Sequence, residues 1–195
     1  SHGLTFLPPD VNRSRYRFTP VDAKTIRYGL GAIKGTGESA IGAMQRAREG
    51  VNGKAGDFTD LFDFCKRIDK RVVNRRVIEA LVRAGAFDSI DENERSEFRQ
   101  NRARLMASVG IALEAAEQAE RDALQVGLFD AGSGQEQRVQ MIEAPPWSER
   151  EQLLNEKQAL GFFLSGHPYN EVRAELSTFV RRPLSSLEPQ KEPVL

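Results

Sequence analysis

The chain has 195 residues, a formal net charge of zero from 28 basic and 28 acidic side chains, and 39% hydrophobic residues. That length accommodates one domain or two small ones, and no stretch is apolar enough to span a membrane. A single cysteine, Cys65, excludes an internal disulfide and suits a reducing cytoplasm. No secretory signal precedes the first motif, and Ser1-His2 is interpreted as a remnant of an expression tag. We therefore expect a cytoplasmic protein.

Charge is distributed unevenly along the chain. Residues 11–83 contain sixteen Lys and Arg against eight Asp and Glu, whereas residues 84–195 contain twelve against nineteen. A basic segment is favoured beside nucleic acid, because neutralising phosphates releases their counterions. The basic part therefore indicates a DNA-binding surface, and the acidic part indicates a surface for protein contacts.

The N-terminal segment predicts short strands. Residues 7–10, Leu-Pro-Pro-Asp, are expected to be extended, because proline moves its predecessor out of the helical region. Apolar residues then recur at period two on either side of residues 20–23, namely Tyr16, Phe18, Ile26 and Tyr28. This pattern predicts a β-hairpin. The alternative is an irregular leader packed on the first helix.

A glycine-rich stretch follows the predicted hairpin. Gly35 and Gly37 come directly after Ile33 and Lys34, and Ala40 opens a face with helical spacing. Glycines permit a tight turn, and the first amides of the next helix have no partner within that helix. With a lysine beside them, such amides form a ready anion site.

The pattern apolar-x-Gly-x-Gly-x-x-Ala resembles the hairpin of a helix-hairpin-helix element. The resemblance implies that backbone amides hold duplex DNA without reading its bases. The candidate DNA-binding residues are Ile33, Lys34, Gly35, Thr36, Gly37, Glu38, Ser39 and Ala40. Thr36 departs from the pattern, because an aliphatic residue is usual there, so we expect a weaker apolar anchor. The alternative is a packing corner between helices that touches no DNA.

Two further helices are predicted after the loop at residues 50–56. Asp57 is expected to cap the first, followed by Asp60 and Asp63 at steps of three. Their spacing raises the possibility of a metal site. No histidine lies nearby, however, and acidic residues are favoured in a first helical turn, so we interpret them as structural and predict no metal. Cys65 is expected to be a buried side chain rather than a nucleophile.

The second of these helices is predicted from Val72 to Ala84, and it stops at Gly85. The stretch from Leu81 to Phe87 has the form of a second, degenerate hairpin. Asp88 near its tip would repel phosphate, so this copy is interpreted as structural.

Long apolar stripes predict the remaining helices. One runs from Arg95 to Leu124, unless Gly110 divides it in two. Another runs from Glu149 to Phe163, begins with a capping box from Ser148, and has leucines 153, 154 and 160 with Phe163 as core positions. A short helix is expected at residues 170–178.

A loop between these helices carries a second candidate site. The spacing Gln125-x-x-Leu128-Phe129 resembles the peptide by which bacterial replication proteins bind the sliding clamp, and a flexible Gly/Ser stretch follows it. Residues 158–162 fit the same pattern loosely. That copy lies in a predicted buried helix, which cannot present an extended peptide. The alternative for the first copy is that Leu128 and Phe129 pack on the protein's own core.

Together these stretches resemble a segment of the catalytic alpha subunit of bacterial DNA polymerase III. The similar pieces occur in that family's order and cover residues 7–12, 26–38, 57–65, 81–88, 125–129 and 161–168. The resemblance implies a mostly α fold, with a tandem helix-hairpin-helix bundle, a short N-terminal β-hairpin and C-terminal helices. It implies these regions: 1–28, the end of the fingers with the hairpin; 29–124, the tandem motifs and long helix; 125–146, the clamp-binding loop; 147–178, C-terminal helices; 179–195, a linker.

The resemblance also defines the expected function. The partners would be double-stranded DNA, the sliding clamp (beta subunit) and possible further polymerase III holoenzyme subunits. The parent protein would be a DNA-directed DNA polymerase using Mg²⁺, but its catalytic aspartates match nothing here, so no catalytic residue and no cofactor is expected. Three alternatives remain: a stand-alone DNA-binding or repair-associated helical protein, the error-prone paralogue of the polymerase, and a metal-dependent nuclease.

Overall fold

A computed structural model describes the backbone of residues 3–51, 53–90, 98–126 and 139–166. Residues 1–164 form one compact unit and residues 165–195 a second, of which only 165 and 166 are described. The predicted helix at 170–178 and the predicted linker at 179–195 lie outside the described residues. The division of the chain into functional regions remains a prediction. The fold is mostly α-helical with short N-terminal strands, as expected. Among the described residues, no helix is long and apolar enough to cross a membrane.

The N-terminal strands form a three-stranded sheet in the order β1-β3-β2. Strand β1 is Thr5–Leu7, β2 is Thr19–Pro20 and β3 is Thr25–Arg27. The antiparallel β2–β3 pair is the predicted hairpin, with shorter strands than the alternation indicated. The parallel pairing of β1 with β3 was not predicted, because a strand of three residues is too short to show a period.

Aromatic rings connect this sheet to the C-terminal part of the unit. Tyr28, directly after β3, lies with its ring centroid 4.4 Å from that of Phe18 and 5.3 Å from that of Phe162. Phe6 and Phe18 remain 52% and 46% exposed on the sheet. Tyr28 therefore connects the sheet with the segment that follows α5.

Helix α1, Glu38–Glu49, follows a single 3-10 turn at Leu30–Ala32. Its predicted apolar face is buried, comprising Ala40, Ile41, Met44 and Ala47. The helix ends at Gly50, whose left-handed conformation closes the last turn. This face fixes the N-terminus of α1 beside the glycine-rich turn.

Helix α2, Leu61–Arg67, begins later than predicted, and Asp60 rather than Asp57 is its N-cap. The Asp60 carboxylate accepts a hydrogen bond from the Asp63 amide at 2.7 Å. The chain is still extended at Phe58, because the Asn12 side chain accepts from its N–H at 2.8 Å and donates to its C=O at 2.9 Å. That long-range pairing excludes residue 58 from the helix.

Helix α3 is Arg75–Arg83, and it also begins later than predicted, at the N-cap Asn74. The amides of Val72 and Val73 donate instead to the Asp69 carbonyl, which forms a separate turn before the helix. Val77 and Leu81 on this helix are buried in the core. Cys65, in α2, is fully buried as predicted, and burial raises its pKa to about 12.

Helix α4, Phe98–Val126, is one continuous helix, and Gly110 does not divide it. Its buried stripe contains Leu105, Val109, Ala112 and Ala116. The predicted start at Arg95 lies outside the described residues. Packing of this stripe against α2 and α3 outweighs the low helix propensity of one glycine.

Helix α5, Glu149–Leu160, begins with the predicted capping box between Ser148 and Glu151. It ends three residues before the predicted position, because Gly161 adopts a left-handed conformation with φ of 89°. Leu153 and Leu160 are buried, but Leu154 is 55% exposed, so its assignment to the core was wrong. Phe163 lies after the helix and is only partly buried.

Candidate nucleic-acid interface

The predicted hairpin is a tight turn that leads from the 3-10 turn into α1. Gly35 has φ of +87°, a conformation that favours glycine, and Gly37 is the N-cap of α1. Ile33 and Ala40 are 1% and 2% exposed and fix the two ends of the turn in the core. The residues between them that face solvent are Lys34, Gly35, Gly37, Glu38 and Ser39.

The exposed turn presents unpaired backbone donors. Within the described chain, the N–H groups of Gly35, Gly37, Glu38 and Ser39 donate no hydrogen bond. The next two amides, of Ala40 and Ile41, bond to the Gly37 carbonyl at 3.1 and 3.2 Å. The free amides lie at the positive end of the α1 dipole. Such an arrangement is suited to an anionic ligand.

Gly37 leaves these amides available. With φ of −79° and ψ of 160°, its backbone suits any N-cap residue, and an added Cβ would meet only Ser39 Oγ, at 3.8 Å. A serine or aspartate there would accept a hydrogen bond from the first amides of the helix. Glycine has no such acceptor, so the amides stay free for an external ligand.

Thr36 is anchored differently from the sequence expectation. Its side chain is buried, and its hydroxyl oxygen lies 2.6 Å from the Ile33 carbonyl oxygen and 2.7 Å from that of Leu30. A β-branched hydroxyl therefore combines apolar burial with a polar contact to the preceding 3-10 turn. This contact is a polar anchor at the position where an aliphatic group is usual.

Lys34 makes a contact that the sequence did not indicate. Its backbone N–H donates to the Ala159 carbonyl in the last turn of α5, at 2.7 Å. Its side chain passes over Gly161, where an added Cβ would lie 3.6 Å from both Cε and Nζ. The first hairpin is thus supported by a helix that is remote in sequence.

The second hairpin packs against an ion-pair network centred on the buried Arg102. Gly85 has φ of +74°, and a Cβ there would overlap the Arg102 guanidinium. Arg102 is 3% exposed, donates to Asp88 at 2.6 and 2.9 Å and reaches Glu156 at 3.0 Å. Burial raises the pKa of Asp88 despite this arginine. Asp88 therefore has a structural partner, in keeping with a structural interpretation of this copy.

The candidate clamp residues are only partly within the described residues. The backbone of Gln125 belongs to the last turn of α4, and Leu128 and Phe129 lie outside. In the rival copy, Ala159 and Leu160 are 3% and 8% exposed in the core, and Gln158 faces solvent. The buried pair cannot enter a partner's pocket without unfolding the end of α5.

The three carboxylates before and within α2 have other partners. Asp57 pairs with Arg13 at 2.7 Å, Asp60 caps the helix, and Asp63 pairs with Arg67 at 2.9 Å. Among the described residues, no three histidine, cysteine, aspartate or glutamate side chains are grouped so that they could hold a metal ion.

Fold and site together define a helix-hairpin-helix protein. Residues 3–97 match the family model described as a helix-hairpin-helix motif. The chain is 46% identical over 190 residues to DNA polymerase III subunit alpha of Neisseria meningitidis serogroup A, covering 97% of this chain and 16% of that protein. The subunit alpha of Vibrio cholerae is 42% identical over 196 residues, again covering 97% and 16%. That of Escherichia coli K12 is 40% identical over 182 residues, covering 91% and 15%.

The chain therefore belongs to the DNA polymerase III alpha subunit family, as the sequence motifs predicted, and corresponds to a segment of it. It spans about one-sixth of the length of the curated relatives that it matches.

Proposed function

We propose that this chain binds the backbone of duplex DNA, without sequence preference, as part of a cytoplasmic replicative polymerase. The observation that carries the proposal is the set of free, exposed amides of Gly35, Gly37, Glu38 and Ser39 at the N-terminus of α1. Phosphate is the anion that such amides accept, and Lys34 adds a positive charge beside them. The names of the relatives support DNA as the source of that phosphate.

The same geometry explains why sequence preference is not expected. Amides and a lysine bind phosphate oxygens, which are the same at every base pair. Base readout needs side chains that form paired hydrogen bonds in a groove. The candidate residues 33–40 include no arginine, asparagine or glutamine that could do so.

Titration of fluorescent duplexes of two unrelated sequences tests this proposal. Lys34→Ala is compared with Lys24→Ala, which removes an exposed lysine from the β2–β3 turn. We expect Lys34→Ala to weaken binding to both duplexes equally. The slope of the logarithm of the binding constant against the logarithm of the salt concentration should fall by about 1, as for one lost phosphate contact. Lys24→Ala should bind like the wild type. Binding confined to one sequence, or a Kd unchanged in Lys34→Ala, would contradict the proposal.

We also propose that Gln125, Leu128 and Phe129 tether the polymerase to the sliding clamp. The motif spacing supports this, and the burial of Ala159 and Leu160 disfavours the rival copy at residues 158–162. Such a peptide buries little area, so its single contact is weak. It raises the effective concentration of the polymerase at the primer end when DNA is bound as well. The polymerase reaction, with its Mg²⁺ and catalytic aspartates, is proposed for the longer protein and not for this chain.

Binding of the chain to purified bacterial sliding clamp tests the tether. The double variant Leu128→Ala with Phe129→Ala should lose binding at an unchanged melting temperature. The control Leu154→Ala removes a leucine that is 55% exposed on α5, and it should bind like the wild type. If the double variant binds normally, the contact lies elsewhere, and Gln158→Ala then tests the rival copy.

A further inference from the structure

Helix α5 contacts the hairpin at the residue that precedes Gly35. The Lys34 amide donates to the Ala159 carbonyl at 2.7 Å, and the Lys34 side chain crosses Gly161. The last carbonyls of a helix have no partner within it, so this bond also satisfies α5. The negative end of the α5 dipole favours the nearby ammonium group. Both the backbone and the side chain of Lys34 are therefore held by the same helical turn.

Helix α5 is held against the rest of the unit by an ion pair, a hydrogen bond and core packing. The Glu156 carboxylate is fully buried, pairs with Arg102 of α4 at 3.0 Å and accepts from the Leu164 amide at 2.8 Å. Ala159 and Leu160 belong to the main hydrophobic core. The turn that holds Lys34 is thus fixed on both sides, by the core before it and by the Leu164 bond after it.

We propose that the C-terminal turn of α5 positions the DNA-binding hairpin, with Gly161 and the Ala159 carbonyl as its positioning groups. This inference rests on the proposed DNA binding. No neighbouring atom packs on Gly35, since a Cβ there would meet no atom within 4 Å. The Ala159 bond therefore limits the conformations of the turn before DNA arrives, and binding loses less conformational entropy.

The variant Gly161→Ala tests the positioning role. Gly161 has φ of +89°, so alanine strains this turn, and Gly56→Ala at φ of +111° imposes a similar strain far from the hairpin in sequence. Neither added methyl group meets an atom closer than 3.6 Å. We expect both variants to have a slightly lower melting temperature than the wild type. Only Gly161→Ala should raise the Kd for duplex DNA, by at least about fivefold.

Hydrogen exchange at single amides distinguishes a local effect on the hairpin from a general loss of stability. In Gly161→Ala, exchange at the Lys34 amide should accelerate while exchange at the Thr36 amide, which bonds to Ile33, stays as in the wild type. If Gly161→Ala binds DNA like the wild type, or if Gly56→Ala weakens binding equally, the positioning role is wrong although DNA binding stands. If the wild type binds no duplex DNA, the proposed function fails and the positioning role fails with it.

Discussion

At position 37, glycine leaves the first amides of α1 without a side-chain acceptor, although its backbone torsion does not require glycine. Its φ of −79° is ordinary, in contrast to the +87° of Gly35. The two glycines of the motif therefore act differently. Gly35 permits the turn, and Gly37 withholds an acceptor from the amides that follow.

Gly37→Ser should change stability and DNA affinity in opposite directions. The serine hydroxyl would accept from the free Ser39 amide and stabilise α1 by a few tenths of a kcal/mol, about the difference between serine and glycine caps. It would also compete with phosphate for that amide. We expect a raised melting temperature and a raised Kd for duplex DNA. A variant that binds DNA as tightly as the wild type would exclude the Ser39 amide from the interface.

The Cys65 thiol should be inert in the native protein. Burial raises its pKa to about 12, so it stays protonated, and it is 0% exposed. A disulfide reagent at about pH 8 should react only as fast as the protein opens, since the thiolate is the nucleophile. Full reactivity in denaturant is the control. Rapid labelling of the folded protein would show that α2 opens readily.

At the scale of elements, the ends of α5 have separate roles. Its N-terminus is stabilised locally, by the reciprocal hydrogen bonds of Ser148 and Glu151. Its C-terminus contacts Lys34. The two ends are separated by twelve helical residues, or about 18 Å.

Ser148→Ala should therefore lower stability without changing DNA affinity. The loss of an N-cap hydroxyl costs about 1 kcal/mol. Glu151→Gln is the matched variant, because glutamine still accepts from the Ser148 amide, and it should cost less. Urea unfolding and duplex titration measure the two quantities. A weaker duplex affinity in Ser148→Ala would mean that the whole helix, and not its last turn, positions the hairpin.

At the scale of the whole unit, Arg102 connects three elements. It lies on α4 and pairs with Asp88 after the second hairpin and with Glu156 on α5. Burial alone would lower the pKa of Arg102, but hydrogen bonds and charges from Asp88 and Glu156 outweigh it, so the pKa is raised. The second hairpin is thereby tied to the helix that supports the first.

Glu156→Ala should be strongly destabilising, because it leaves a buried guanidinium short of one partner. Breaking a buried pair in this way typically costs about 3–5 kcal/mol. The pair of Arg104, also on α4, with Glu143, at 3.1 Å, offers the control, since the Glu143 side chain is 73% exposed. Glu143→Ala should cost less than about 1 kcal/mol. If denaturant unfolding shows that the two variants lose equal free energy of unfolding, Glu156 is solvated rather than buried.

Features that depend on residues close together in the chain were predicted correctly from the sequence. The glycine-rich turn, the apolar face of α1, the Ser148 capping box and the stripe of α4 depend on residues within a few positions of one another, so their spacing identifies them. The start of α2 was misplaced, because it depends on Asn12 holding Phe58 from 46 residues away.

Sequence by itself determined that the five described helices exist, the glycine-rich helix-hairpin-helix turn and the family, since each is encoded in short-range spacing and in ordered motifs. Tertiary structure alone decided the parallel β1–β3 pair, the bond from Lys34 to Ala159 and the Arg102–Glu156 pair. These contacts join segments that are far apart in the chain. Their partners are selected by the packing of the core, which no local pattern records.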